Sequence, residues 1–270
     1  MPTPIPSAMR TLRNRFGRLR RSSVVRAPYY RRHPLEFGRL IDARRRLATA
    51  TVAEPREFLV HLGIDPKQVL ADFDHWRDVL APVLAGRSRT GVSAGQGEIL
   101  YAAVRTLRPD HVIETGVAEG VSTSYIGAAL VDNGRGILHS LELPPADVPV
   151  DATLEDGGRY SWQRNGIAHL VPDEIRAGLG DRWDMRLGDV RVTLPDLLAQ
   201  VDSVGVFFHD DLHTPKHMLW EYELVWPRLE PGGLLMSDDS NAGWVSFAER
   251  HLGVPEDLTN FRRLTAARHP

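Results

Sequence analysis

The chain has 270 residues, of which 42% are hydrophobic and 25% are charged, a composition typical of a globular protein with a substantial core. It contains no cysteine, which excludes disulfides, thiolate nucleophiles and cysteine-ligated zinc or iron–sulfur sites. No apolar run approaches the roughly 18 residues that span a bilayer, and the N-terminus has no apolar signal-peptide core. We therefore expect a cytoplasmic protein without a membrane segment.

The net charge of −2 conceals an uneven distribution. Residues 1–50 carry 13 arginines against Glu36 and Asp42, whereas the rest of the chain is acidic. A basic segment can bind nucleic acid or an anionic surface, but it can also pack on its own acidic body or on a partner subunit. We interpret residues 1–35 as a loosely ordered basic arm that packs on the acidic body of the chain or on a partner subunit. Nucleic acid is not expected as a partner, and a homo-oligomer is left open.

Helical periodicity follows this arm. Val69, Phe73 and Trp76 recur at helical spacing, which predicts a helical lead-in over residues 36–92. A further helix is predicted from Ser93 to Leu107, ending before Pro109.

From residue 93 onward, short apolar runs alternate with helical stretches, the pattern of parallel strands joined by crossover helices. The predicted strands are 111–115, 137–143, 183–187, 204–208 and 234–237, and the predicted helices between them are 121–131, 172–179, 194–201 and 215–229. Residues 144–183 form a long insertion, which we interpret as a candidate substrate lid. Tyr160, Trp162 and His169 within it are candidate contacts to an acceptor.

Acidic residues end or directly follow every predicted strand. They are Glu114, Glu142, Asp189, Asp210 and the pair Asp238-Asp239. Ligands of an open α/β sheet bind outside the carboxyl ends of its strands. The sequence therefore predicts an acidic ligand site at this edge of the sheet.

The first strand–turn–helix reads Glu114-Thr-Gly116-Val-Ala-Glu119-Gly120. It differs from the dinucleotide fingerprint G-x-G-x-x-G because Glu114 and Glu119 occupy glycine positions, where carboxylates would repel a pyrophosphate. A cationic ligand without phosphate fits better. S-adenosylmethionine carries an ammonium and a sulfonium. Its ribose hydroxyls would suit Glu142, and its adenine would face Asp189.

These motifs resemble those of the class I S-adenosylmethionine-dependent methyltransferases, whose first motif is E/D-x-G-x-x-x-G. The resemblance covers about residues 93–252 and includes residues 111–124, Leu187-Gly-Asp189 and Pro231-Gly-Gly233. It implies a Rossmann-like α/β fold, with a mostly parallel seven-stranded sheet flanked by helices, over a domain of residues 93–270. The cofactor contacts that it implies are Glu114, Gly116, Gly120, Ser122, Glu142, Gly188 and Asp189. The alternative for Gly116 and Gly120 is that they only allow close helix–strand packing.

Carboxylates also follow two strands that we expect to be neighbours, 204–208 and 234–237. Three oxygen ligands with open positions suit Mg²⁺. Here the chain resembles the metal-dependent sugar O-methyltransferases of macrolide biosynthesis and cephalosporin hydroxylase-like proteins. That resemblance implies Asp210, Asp238 and Asp239 as metal ligands and a catalytic pair of Asp210 and His213, with His213 as the general base. The family often has Glu where this chain has Asp238.

Each of these residues also has a structural interpretation. Asp238 and Asp239 could cap the following segment, Asp210 could be an ionised turn residue, and His213 could be a hydrogen-bonded structural histidine. Asp211 has no assigned role and is expected to be exposed to solvent. The segment 209–213 also resembles the H-E-x-x-H motif of zinc hydrolases, but that motif needs one continuous helix, whereas the flanking residues favour a strand end and a turn.

The sequence thus predicts an S-adenosylmethionine-dependent, Mg²⁺-dependent O-methyltransferase. Its acceptor would be a hydroxyl of a small specialised metabolite, such as a sugar, diol or catechol, in natural product biosynthesis. Two alternatives remain open: a hydroxylase-like non-transferase on the same fold, and a cofactor-binding scaffold without turnover.

Overall fold

The computed structural model describes residues 32–87, 91–144, 167–253 and 257–270. Among these residues five helices precede the first strand, and the first four are α1 (Pro34–Thr49), α2 (Pro55–His61), α3 (Pro66–Asp72) and α4 (Trp76–Gly86). The first three begin with proline, whose missing N–H costs nothing in the first turn and whose fixed φ suits a helix. Most of the predicted basic arm and residues 145–166 of the predicted insertion lie outside the described residues.

Strands and helices then alternate along the chain. Their bounds are α5 (Ala94–Leu107), β1 (His111–Thr115), α6 (Val121–Asn133), β2 (Ile137–Glu142), α7 (Asp173–Leu179), β3 (Trp183–Leu187), α8 (Val190–Leu198), β4 (Val204–His209), α9 (Pro215–Val225), β5 (Leu229–Ser237), α10 (Ala242–His251), β6 (Asn260–Phe261) and β7 (Leu264–Arg268).

The described strands form one seven-stranded sheet in the order β3-β2-β1-β4-β5-β7-β6. The first five strands pair in parallel, and β7 is antiparallel to both β5 and β6. The chain moves outward from β1 through β2 to β3 and then returns to the other side of β1 at β4. A topological switch point therefore lies between β1 and β4, where open α/β sheets bind their ligands. The expected mostly parallel, seven-stranded sheet is confirmed.

The buried strands separate two hydrophobic cores, because alternate side chains point to opposite faces of a sheet. Val112 and Val206 face the core under α2 to α7, whereas Ile113, Phe207 and Leu235 face the core under α1, α8, α9 and α10. Within the described parts of the chain, no helix is both long and apolar enough to cross a membrane.

Three predicted element bounds are wrong by four residues or more. The helix predicted to reach residue 229 ends at Val225, because residues 226–228 form a 3₁₀ turn containing Pro227. Strand β5 begins at Leu229 and continues through Pro231, with a register shift opposite Val204–Val206 on β4. Helix α8 starts at Val190, four residues before the prediction, because the Asp189 side chain accepts the Arg191 N–H and caps it.

The helical lead-in is tied to the C-terminal strands by a short parallel bridge, Thr51 to Asn260. The Val52 N–H donates to the Asn260 carbonyl at 2.9 Å, and the Asn260 side-chain amide donates to the Leu47 carbonyl at 2.8 Å. Asn260 is fully buried. We refer to these contacts between residues 47–52 and Asn260 as the clasp.

Candidate active site

The loop between β1 and α6 passes directly against the end of β4. Gly116 and Gly120 have φ of +82° and +91°, backbone conformations that favour glycine. A Cβ at Gly116 would lie 2.4 Å from the Asp210 carbonyl oxygen, and a Cβ at Gly120 would lie 2.5 Å from the Val171 side chain. Both glycines are thus required for close packing, and the packing brings the loop to the acidic end of β4.

Glu114 lies beneath this loop. Its carboxylate accepts hydrogen bonds from the Ser122, Thr123 and Ser140 hydroxyls at 2.5, 2.8 and 3.1 Å, and the residue is fully buried. Burial raises the pKa of Glu114 to about 7 against the effect of these hydroxyls. Glu114 and Ser122, both predicted to contact a cofactor, therefore contact each other and join β1, β2 and α6.

Glu142 ends β2 and reaches the same loop from the other side. Its Oε2 accepts the backbone N–H groups of Val117 and Ala118 at 2.7 and 2.6 Å. Burial raises the pKa of Glu142, while the amide hydrogen bonds act in the opposite direction. The loop between β1 and α6 therefore positions Glu142, the carboxylate that is predicted to bind the ribose.

Gly188 and Asp189 follow β3. The Gly188 N–H donates to the Glu142 carbonyl at 2.9 Å, which places the two predicted cofactor residues side by side. Asp189 is exposed and caps α8. The glycine loop, Glu142 and Asp189 therefore form one continuous edge across β1, β2 and β3.

Asp210, Asp238 and Asp239 lie together at the ends of β4 and β5. Burial, followed by the charge of Asp239, raises the pKa of Asp210 well above its usual range. Burial and the charges of Asp210 and Asp239 raise the pKa of Asp238 to about 7. Such mutual repulsion between carboxylates favours a bound cation.

The three aspartates already have protein partners. The Gln96 side-chain amide donates to Asp238 at 2.6 Å, and Arg263 pairs with Asp239, whose φ is +48°. His213 Nε2 lies 3.5 Å from Asp210 Oδ1 and makes no hydrogen bond within the described part of the chain. His213 is therefore held beside Asp210 with one nitrogen unpaired.

The donor chemistry of the aspartates fits Mg²⁺, since all three offer carboxylate oxygens. Their oxygens are not gathered around one point, however. Among the described residues, the one group of three whose ligand atoms all lie within 4.8 Å of one another is His209, Asp211 and Glu221. Binding of Mg²⁺ at the predicted ligands would require their side chains to converge.

The sequence analysis missed this second group, in which His209 and Glu221 are fully buried and Asp211 is half-buried. His209 Nδ1 lies 2.5 Å from Glu221 Oε2, and His217 Nε2 lies 3.1 Å from Asp211 Oδ2. The expectation that Asp211 is exposed is wrong, since its side chain is only 19% exposed and is paired. The available signal was the spacing of four between His217 and Glu221, which puts both on one face of α9.

Asp211 and His217 shift each other's pKa in opposite directions. Burial would raise the pKa of Asp211, but the hydrogen bond from His217 and the charges of His217 and His209 together outweigh it and lower that pKa to about 2. Burial would lower the pKa of His217, and the hydrogen bonds to Asp211 and Glu221 raise it to about 10. His209 ends β4 and His213 follows in the loop, so the two histidines do not share the helix that the zinc hydrolase motif requires.

The part of the chain that forms this edge matches a known protein family. Residues 113–240, from β1 to the end of β5, match the family model of a methyltransferase domain. The matched residues, just under half of the chain, are those of a methyltransferase domain. In this methyltransferase the matched residues contain the glycine loop, Glu142, Asp189 and the aspartates of β4 and β5. A comparison with curated protein sequences found no match.

Several solved structures are similar to this methyltransferase. They include cofactor-bound Rv0187 from MTB (19% identity, TM-score 0.39, covering 64% of this chain and 65% of that one). The O-methyltransferase from Bacillus cereus in complex with SAH has 18% identity and a TM-score of 0.36, over 62% and 66% of the two chains. TomG from Streptomyces achromogenes, an O-methyltransferase involved in tomaymycin synthesis and solved with SAM, has 16% identity and a TM-score of 0.37, over 66% and 72%. The identification of a methyltransferase domain rests on the family match, and the fold rests on the strand order.

Of the three predicted acceptor contacts, His169 is the one that lies in a described part of the chain. Tyr160 and Trp162 lie outside the described residues, and His169 is exposed in the turn before α7. The segment next to His169 does reach the glycine loop, since the Ala168 and Leu170 N–H groups donate to the Ala118 and Glu119 carbonyls at 2.8 and 3.0 Å. The end of the insertion is therefore anchored to the cofactor loop.

Proposed function

We propose that this methyltransferase transfers a methyl group from S-adenosylmethionine to a hydroxyl oxygen of a small acceptor. The observation that supports this most directly is the contact between the glycine loop and Asp210, because a Cβ at Gly116 would meet the Asp210 backbone. That contact joins a loop suited to the cofactor to an edge rich in carboxylates. A methyl donor and an acceptor bound at these two places would be adjacent, and such orientation supplies much of the acceleration of a bimolecular reaction.

The cofactor would lie along the edge formed by β1, β2 and β3. The Glu142 carboxylate would accept the ribose hydroxyls, and Asp189 would face the adenine. Gly116, Gly120 and Gly188 would let the backbone approach the ligand closely. Glu114 and Ser122 would act one layer deeper, by holding the loop in place through their mutual hydrogen bond.

The acceptor would bind at Asp210, Asp238 and Asp239. These residues would hold Mg²⁺, which when bound lowers the pKa of a coordinated hydroxyl. His213 would take the hydroxyl proton at its unpaired Nε2, and the neighbouring Asp210 carboxylate would stabilise the resulting imidazolium. The acceptor oxygen then bonds to the methyl carbon as the carbon–sulfur bond breaks, and sulfur keeps the electron pair. Two oxygens on adjacent carbons, as in a catechol or sugar diol, would suit a metal with open positions.

The test is titration calorimetry with S-adenosylmethionine and S-adenosylhomocysteine, with and without Mg²⁺, followed by turnover of catechol as the probe acceptor. We expect both nucleosides to bind without metal and turnover to require Mg²⁺. Absence of binding under both conditions would contradict the cofactor assignment. Binding with Mg²⁺-independent turnover would contradict only the metal mechanism, and binding without turnover of any diol would favour a cofactor-binding scaffold.

Two substitutions separate the metal mechanism from general damage. Asp210→Ala should lower turnover by at least about a hundredfold with nearly unchanged affinity for S-adenosylhomocysteine, because it removes a metal ligand and the partner of His213. Asp202→Ala, an exposed residue before β4, is the matched control and should change neither quantity. Wild-type turnover of Asp210→Ala in excess chelator would overturn the metal mechanism.

A further inference from the structure

Four side chains next to the proposed acceptor site, three of them buried and one half-buried, converge as two imidazoles and two carboxylates. His209 and Asp211 come from the end of β4, and His217 and Glu221 come from one face of α9. We refer to these four residues as the inner cluster. His209 and Glu221 are fully buried, and His217 is 5% exposed. The family match and the proposed methyl transfer assign no role to the cluster.

We propose that the inner cluster is a closed site for one divalent transition metal ion, with zinc as the best fit. Zinc in structural sites takes four protein ligands in a tetrahedron, and nitrogen and carboxylate oxygen are both among its usual donors. Imidazole ligands select against Mg²⁺, which prefers oxygen alone. The site would thus be distinct in chemistry from the aspartate site at the surface.

The distances between neighbouring donor atoms are close to those of a tetrahedron, and three of the four residues, His209, Asp211 and Glu221, have ligand atoms within 4.8 Å of one another. Metal–ligand bonds of about 2.0–2.1 Å place tetrahedral donors about 3.3 Å apart. Nδ1 of His209 lies 3.3 Å from Asp211 Oδ1. Nε2 of His217 faces the other oxygen of each carboxylate, 3.1 Å from Asp211 Oδ2 and 3.4 Å from Glu221 Oε1. The contact of 2.5 Å between His209 and Glu221 would lengthen by roughly 0.8 Å to reach that edge length.

Charge and hydrogen bonding give two further arguments. With neutral imidazoles the inner cluster carries two negative charges, which one divalent ion balances completely. Glu221 Oε1 is buried, and its contact with His217 Nε2 at 3.4 Å is long for a hydrogen bond, so the metal-free arrangement leaves this acceptor poorly satisfied. A metal ion would give it a closer partner.

The carboxylates also have the outer contacts that metal ligands usually have. The Thr115 hydroxyl donates to Glu221 at 3.0 Å, and the Leu212 N–H donates to Asp211. Such contacts fix the orientation of ligating carboxylates. Because the four ligands join β4 to α9, a bound ion would hold the intervening loop, which carries Asp210 and His213. Its role would be to position the proposed acceptor site.

The experiment measures the metal content of untagged protein that is expressed in medium containing zinc. We expect about one zinc ion per chain after removal of loosely bound metal. Glu221→Gln keeps the shape of the side chain but removes its charge, and should weaken zinc binding by at least about tenfold. Glu223→Gln is the matched control on the same helix and should keep the metal, since Glu223 is paired at the surface with Arg250 and His251.

Cobalt provides a readout that does not depend on the variants folding. Wild-type protein loaded with Co²⁺ should show the intense visible absorption of a tetrahedral site, which the octahedral oxygen coordination of an aspartate site would not give. Absence of zinc and of this spectrum in the wild-type protein would overturn the proposal. Two protons, in place of the metal ion, would then balance the charges of the two carboxylates. Loss of zinc in Asp238→Asn, with retention in Glu221→Gln, would overturn it as well by placing the ion at the surface aspartates. Neither outcome bears on cofactor binding, so methyl transfer would stand or fall separately.

Discussion

At the scale of single residues, Gly116 is the position that most tightly links the two proposed ligand sites. Gly116→Ala combines a strained backbone with a Cβ placed 2.4 Å from the Asp210 carbonyl oxygen. Gly134→Ala is a matched control, because Gly134 also has a positive φ but a Cβ there meets nothing within 4 Å. We expect about 1–2 kcal/mol of destabilisation for Gly134→Ala and clearly more for Gly116→Ala.

Urea unfolding of both variants measures this difference. Gly116→Ala should also weaken binding of S-adenosylhomocysteine, because either the loop or the end of β4 must move to make room for the added alanine Cβ. Equal stability of the two variants would show that the loop has room to shift.

Glu114 gives a prediction about pH. Its folded-state pKa of about 7 is raised above its usual value of 4.5, so the folded protein binds the proton more tightly than the unfolded chain. The corresponding stability is present below pH 4.5 and is lost as the pH rises through 7. Glu114→Gln removes this dependence while keeping the shape of a side chain that fits three hydroxyls.

We therefore expect the stability of Glu114→Gln relative to wild type to rise between pH 5 and pH 8, by at most about 3 kcal/mol. Thermal unfolding across this range measures it, with the exposed Glu54→Gln as the control for loss of a carboxylate. A constant difference between Glu114→Gln and wild type would contradict the raised pKa.

At the scale of secondary-structure elements, the start of α5 connects helix capping to the site. Ser93 and Gln96 form a capping box, and the Gln96 side chain also donates to Asp238. Ser93→Ala should cost about 1 kcal/mol, or roughly 2–4 °C in melting temperature. Ser203→Ala, in the loop before β4, is the control and should melt close to wild type. Equal melting of the two variants would show that the cap contributes no stability.

Several elements could be predicted from the sequence because their apolar runs match the burial of a parallel sheet. β1 and β3 have the predicted bounds, and Asp210 and Asp238 lie at the strand ends where the alternation placed acidic residues. β6 and β7 were not predicted, because a two-residue strand and Leu264-Thr-Ala-Ala-Arg268 carry little β-branched or aromatic signal.

The inner details of the site depended on packing, which periodicity does not encode. Glu142 was predicted at the end of β2, but its hydrogen bonds to the loop amides depend on how the loop folds across it. The contact between His209 and Glu221 spans 12 residues and forms only because α9 packs beside β4. Sequence spacing placed each residue on its element, and tertiary structure determined its partners.

At the scale of the whole molecule, the uneven distribution of charge provides a test that distinguishes a small acceptor from a nucleic-acid acceptor. Residues 1–31 contain eight arginines and no acidic residue. If the acceptor is small, a chain lacking these residues should keep its affinity for S-adenosylhomocysteine and its turnover of catechol at low and high salt. Loss of turnover together with a steep salt dependence in the full chain would instead indicate a nucleic-acid acceptor.

The clasp has a consequence for the order of events during synthesis. Asn260 completes the backbone hydrogen bonds of residues 50–52 and accepts or donates bonds across more than 200 positions of sequence. Contacts of such long range form late, because the ends of a long loop must first be brought together. The helical lead-in leaves the ribosome first but cannot complete its contacts until residue 260 has emerged. A ribosome stalled before that codon should therefore hold a nascent chain whose residues 47–52 are open to protease, and one stalled well beyond it should hold a protected chain.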